Sequence, residues 1–121
     1  MTRYAVLLSA GPDRADSALN ALEYAISLDD AGHTVAIYLD GAATQWPGEA
    51  GRRSGHPFVE QFTEARDRGL VAGCCAFCAA AFGATEGCRD AGLEMVGTAG
   101  EEHGPDVGKI ATEGYELLTV G

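Results

Sequence analysis

The stretch Gly69-Leu-Val-Ala-Gly-Cys-Cys-Ala-Phe-Cys-Ala-Ala-Ala-Phe-Gly83 holds three of the four cysteines in the 121-residue chain. Leu70 to Cys74 is a short apolar run entered through a glycine, as buried parallel strands often are. The alanine-rich part that follows suits a helix. The thiols therefore fall at a strand-to-helix turn.

Working outward, the junction Arg68-Gly69-Leu70 has three counterparts, Ala31-Gly32-His33, Ala91-Gly92-Leu93 and Glu113-Gly114-Tyr115. In each, a helical pattern ends at a glycine and a strand pattern begins. Arg3 to Ser9 reads as the first strand, closed by the turn Ala10-Gly11-Pro12-Asp13. Asp13 or Asp16 is the expected cap of a helix carrying Ala15, Leu19, Leu22, Ala25 and Ile26 on one face. His33 to Asp40 is the second strand, rich in β-branched and aromatic residues. Pro57 opens a helix with Phe58, Phe62 and Ala65 on one face. Beyond the cysteines, Gly83 and Gly87 are expected to interrupt a helical segment, Leu93 to Val96 forms the fourth strand, and Pro105 opens a short helix before the last strand, Tyr115 to Val120. This alternation implies βαβ units, a five-stranded parallel sheet and helices on both faces. Reactive groups in such α/β sheets gather at the carboxyl ends of the strands, where the cysteines lie.

Composition narrows the function. Eighteen acidic residues face eight basic ones, for a net charge of −10. That surface repels nucleic-acid phosphates and anionic membranes. No apolar run reaches the roughly 20 residues that span a bilayer, so one soluble, cytoplasmic domain over residues 1–121 is expected. Lys109 is the only lysine, and abundant carboxylates with scarce lysine suit a halophilic protein, since salt screens the repulsion among its own charges.

Cys75-Ala-Phe-Cys78 is a C-x-x-C unit. If the helix starts near Cys75, both thiols lie one turn apart beside unpaired backbone N–H groups, which favour thiolate, the form that attacks a disulfide or persulfide. The opposing possibility is a pair of small residues that only pack. Cys74, in extended backbone, should point the other way, into the core. Cys88 is expected beneath a helix, with a reactive role left open. A metal-thiolate site built from Cys75, Cys78 and Cys88 with a histidine is a third possibility, although structural zinc normally uses two separated ligand pairs. No cofactor is called for. The long connection Gly41 to His56 is either functional or disordered. Its Arg52, Arg53 and His56 fold over the thiolate, meet an anionic partner group or are solvated, and its Trp46 is a candidate for burial at an interface. His33 and His103 stand at element edges as exposed polar residues.

The order and spacing of these features resemble the DsrE/DsrF-like family of small sulfur-relay proteins. The resemblance rests on the first strand with Gly11-Pro12, on Ala31-Gly32-His33, on Asp40-Gly41 and on Cys75 to Gly83, and it covers essentially the whole chain. It implies a three-layer α/β/α domain, assembly into homo-trimers or hexamers, and a persulfide on the cysteine after the third strand. Cys75 matches the active cysteine eight residues before a glycine, and Cys78 the second cysteine of C-x-x-C members. Phe82 stands where an arginine often precedes that glycine. The implied function is a sulfur carrier that takes sulfane sulfur on Cys75, with Cys78 as auxiliary thiol, between donor and acceptor proteins. The rival functions are a non-catalytic binding or assembly subunit and a metal-thiolate protein. The halophilic expectation is tested by thermal melting, with a midpoint lower in dilute buffer than in molar salt.

Overall fold

The four glycine junctions set the architecture, because a helix that must stop and hand over to a strand within one residue needs left-handed backbone there. In the computed structural model, which describes residues 1–121, Gly32, Gly69, Gly92 and Gly114 have φ of +90°, +77°, +75° and +91°. Between them run β1 (Arg3–Leu8), α1 (Ala15–Asp30), β2 (Thr34–Leu39), α2 (Trp46–Ala50), α3 (Pro57–Asp67), β3 (Val71–Cys75), α4 (Ala76–Ala81), α5 (Thr85–Asp90), β4 (Met95–Val96), α6 (Val107–Thr112) and β5 (Tyr115–Val120). The five strands form one sheet in the order β4-β3-β2-β1-β5. Every pairing is parallel.

The handedness of the crossovers assigns the layers. From β1 to β4 the chain steps in one direction, so right-handed connections put α1, α3, α4 and α5 on one face. The return from β4 to β5 runs the other way and places α6 on the opposite face. There Ile110 of α6 and Tyr38 of β2 line one shallow depression. The core lies under the larger layer, where Val6, Leu8, Ile37 and Leu39 meet Leu22, Phe58 and Phe62. The result is a three-layer α/β/α sandwich with a thin third layer, and on that side Leu117 is 39% exposed.

A bulge decides which way the cysteines point. Ile37 pairs with Val71 but Tyr38 pairs with Gly73, which leaves Ala72 without a partner in the ladder. One extra residue reverses the alternation of side chains beyond it. Val71 and Cys74, three apart, therefore both pack on the core, and Cys75 turns to the opposite side of the sheet.

Several expectations are corrected. The connection 41–56 is not disordered throughout: Gly41–Gln45 forms a 3-10 turn that runs into α2. Trp46 is fully buried within the chain itself. Its indole N–H donates to the Ala10 carbonyl at 2.8 Å, and its ring stacks on Phe58 at 3.7 Å between centroids. Neither Asp13 nor Asp16 caps α1; a 3-10 turn over Pro12–Arg14 supplies the entry through its own backbone bonding. Gly87 does not break a helix but lies inside α5, because a Cβ there would fall 2.9 Å from the Gly48 backbone of α2. The fourth strand is cut to two residues. Truncating Trp46 removes the largest buried side chain and one buried hydrogen bond, so Trp46→Ala is expected to lose about 3–5 kcal/mol in a denaturant titration.

Candidate functional site

Cys75 ends β3 and is the N-cap of α4, with extended backbone at φ −64° and ψ 115°. A cap side chain faces the free N–H groups of the first turn. The Cys75 Sγ accepts from the Cys78 N–H at 3.3 Å and from the Gly104 N–H at 3.5 Å. It is fully buried. Cys78, one turn on, is half-buried, and its thiol donates to Asp40 Oδ1 at 3.2 Å. Burial first, then the bond to Asp40, push the Cys78 thiol up to about 12, against an opposing backbone bond from Gly41. Cys78 is thus a thiol at neutral pH.

Asp40 reaches the site through the sheet register. Leu39 pairs with Cys74, so the residues that follow, Asp40 and Cys75, leave the sheet side by side. The Gly41 N–H donates to Asp40 Oδ1 at 2.7 Å and fixes the carboxylate. The fourth group comes from the segment between β4 and α6. His103 Nε2 lies 2.9 Å from Asp40 Oδ1 and 3.2 Å from Cys78 Sγ. That segment folds back so closely that a Cβ on Gly104 would lie 2.5 Å from the Val96 carbonyl carbon, and one on Gly97 would lie 2.5 Å from the Glu102 oxygen. Asp40, Cys75, Cys78 and His103 each present a ligand-type atom, and all four atoms lie within 4.8 Å of one another.

The other two cysteines form a separate pair. Cys74 and Cys88, both fully buried, have their Sγ atoms 2.7 Å apart, and Cys88 also donates to the Thr44 carbonyl at 3.3 Å. The bond to Cys88, followed by burial, raises the Cys74 thiol. Cys74 therefore faces the core as expected. Cys88 is not placed with Cys75 and Cys78, so the ligand set that joined those three does not assemble.

The basic loop residues do not cover the thiols. Arg52 and Arg53 both pair with Glu49, at 2.8 and 2.9 Å. His56 caps α3 by accepting from the Phe58 N–H at 3.0 Å, and His33 accepts from the Thr2 N–H at 3.2 Å. His103 and Asp40 are the site residues that the sequence reading missed. A signal for Asp40 existed, since it directly follows the strand next to β3 at the carboxyl edge. His103, 25 residues from Cys78 through an irregular segment, left no such signal.

A solved structure with the same fold is a conserved protein of unknown function from Bacteroides thetaiotaomicron, with a TM-score of 0.65 and 18% sequence identity over 95% of this chain and 93% of that one. Among curated proteins none matches the chain. The model of the DsrE/DsrF-like family matches residues 2–120. With that match spanning nearly every residue, the chain belongs to the DsrE/DsrF-like family, which is associated with sulfur relay.

Proposed function

We propose that this protein is a sulfur carrier in which Cys75 accepts sulfane sulfur as a persulfide and hands it to a partner thiol, with Cys78 as the auxiliary thiol. The observation that carries the proposal is the pair of backbone N–H groups on Cys75 Sγ. Such donors favour a sulfur anion. Cys78, by contrast, donates its thiol proton to a carboxylate.

In the loading step, the Cys75 thiolate attacks the outer sulfur of a donor persulfide. A new S–S bond forms at Cys75, the donor's S–S bond breaks, and the donor leaves as a thiolate. In delivery, an acceptor thiolate attacks the outer sulfur and Cys75 departs as thiolate. Cys78 offers a second exit: after giving up its proton it attacks Cys75 Sγ, the outer sulfur leaves as hydrosulfide, and a dithiol reductant reopens the Cys75–Cys78 disulfide. Because Cys75 is fully buried, loading requires the cover formed by His103 and Gly104 to move aside. A loaded persulfide beneath that cover is shielded from stray thiols.

We place this relay in the cytoplasm, in one domain spanning residues 1–121, within a homo-oligomer that meets donor and acceptor proteins. Phe77 and Phe82 beside the thiols are 38% and 49% exposed, an apolar rim suited to a partner surface. The thin third layer also favours assembly, and it supports the second reading, a non-catalytic assembly subunit whose cysteines only pack.

Mass spectrometry after incubation with a sulfane donor is expected to find one added sulfur on Cys75. Cys75→Ser should abolish it, and wild-type protein without the added mass would eliminate the carrier reading. Gly104→Ala should push the covering segment off Cys75, so that alkylation of Cys75 accelerates, with unchanged far-UV circular dichroism. Asp40→Asn removes a group that holds Cys78 protonated. In chelator-treated protein at pH 8, alkylation of Cys78 should accelerate several-fold, because the thiolate fraction rises once the carboxylate, the second cause of the raised pKa after burial, is gone.

A further inference from the structure

We propose that Asp40, Cys75, Cys78 and His103 form a binding site for one zinc-class divalent cation, and that metal and sulfur compete for Cys75. The cation proposal rests on the geometry; the competition also rests on the carrier reading above.

Four donors from three segments converge on one point: Asp40 after β2, Cys75 and Cys78 at the junction of β3 and α4, and His103 in the segment before α6. Their ligand atoms lie within 4.8 Å of one another. The measured edges are 3.2 Å from Cys78 Sγ to His103 Nε2, 3.2 Å from Cys78 Sγ to Asp40 Oδ1, and 2.9 Å from His103 Nε2 to Asp40 Oδ1. Tetrahedral zinc with ordinary bond lengths spaces its N, O and S ligands about 3.3–3.8 Å apart. Opening these three edges by a few tenths of an ångström brings them to tetrahedral spacing, with Cys75 Sγ within 4.8 Å of the other three atoms as the fourth ligand.

The chemistry of the set agrees. Two sulfurs, one imidazole and one carboxylate form a mixed soft and borderline set, which selects zinc over magnesium or calcium. One ring nitrogen faces both a carboxylate oxygen and a sulfur, as it would around a shared ion. No lysine or arginine pairs with Asp40, whose carboxylate faces the His103 ring nitrogen, so a cation would supply positive charge there. The outer contacts that orient metal ligands are also present. The Gly41 N–H holds Asp40 Oδ1, and the N–H groups of Cys78 and Gly104 hold Cys75 Sγ. Binding takes both cysteines as thiolates, displacing the Cys78 proton to solvent, and occupies the Cys75 Sγ lone pair that would attack a persulfide. A metal-filled site is therefore closed to sulfur, and a persulfide at Cys75 lacks one of its metal ligands.

The test is titration of reduced, metal-free protein with cobalt(II), read by thiolate-to-cobalt charge transfer and by the ligand-field bands of tetrahedral cobalt, followed by displacement with zinc(II). One equivalent should bind. Cys75→Ser and Cys78→Ser should each lose charge-transfer intensity, His103→Ala and Asp40→Asn should each weaken affinity at least tenfold, and Cys88→Ala should leave the spectrum unchanged. Circular dichroism of each variant reports that it is folded. Absence of charge transfer in the wild type, or its loss in Cys88→Ala with retention in Cys78→Ser, would overturn the site. Persulfide formation on the metal-free protein is scored separately by mass, so failure of the metal site and failure of the carrier reading are distinguishable. Zinc-loaded protein that took up sulfur at Cys75 as fast as metal-free protein would overturn the competition.

Discussion

One unpaired residue, Ala72, organises the chemistry of this protein. Side chains alternate along a strand, so the bulge in β3 determines which face each cysteine after it occupies. With it, Cys74 drops into the core against Cys88, and Cys75 emerges on the side of the sheet that α6 and its preceding segment cover. Two thiol pairs result, one buried among apolar side chains and one bordered by Asp40 and His103. Without the bulge, Val71 and Cys74 could not both face the core.

The site is completed by backbone packed against backbone. Gly97 and Gly104 let the segment between β4 and α6 fold onto the end of β4, at distances that admit no Cβ. The same close approach delivers the Gly104 N–H to Cys75 Sγ and the His103 ring to Cys78 Sγ. Asp40 arrives by a simpler route, since parallel strands end together at the carboxyl edge. The two thiols consequently differ in environment although they are three residues apart. Cys75 receives N–H donors, whereas Cys78 faces a carboxylate that holds its proton in place.

Much of this was legible in the sequence, for local reasons. A glycine after a helix and before a strand carries its own backbone requirement, and four such junctions were enough to indicate a parallel α/β sheet. The inward turn of Cys74 followed from strand alternation near the cysteines, although the bulge that sets its phase was not visible. Trp46 was misplaced because its partners, Ala10 and Phe58, are supplied by tertiary packing; a lone tryptophan in a glycine-rich connection gives no sign of whether it faces its own core or a neighbour. Gly87 was misread because a helix breaker and a helix crossing point look alike without the facing helix. His103 joined the site through an irregular segment with no period to project from, and the metal ligand set weighed from cysteine spacing, with an unassigned histidine, took Cys88 where the fold supplies Asp40.

In the proposed relay, Cys75 Sγ, held by the N–H groups of Cys78 and Gly104, is the atom on which sulfur is stored. A crystal structure of metal-free protein loaded with sulfane sulfur tests it most directly, because anomalous scattering locates each sulfur atom. One additional sulfur bonded to Cys75 Sγ is expected, with Cys74 and Cys88 unmodified in the core. Added sulfur on Cys78 or Cys88 with Cys75 unmodified would contradict it.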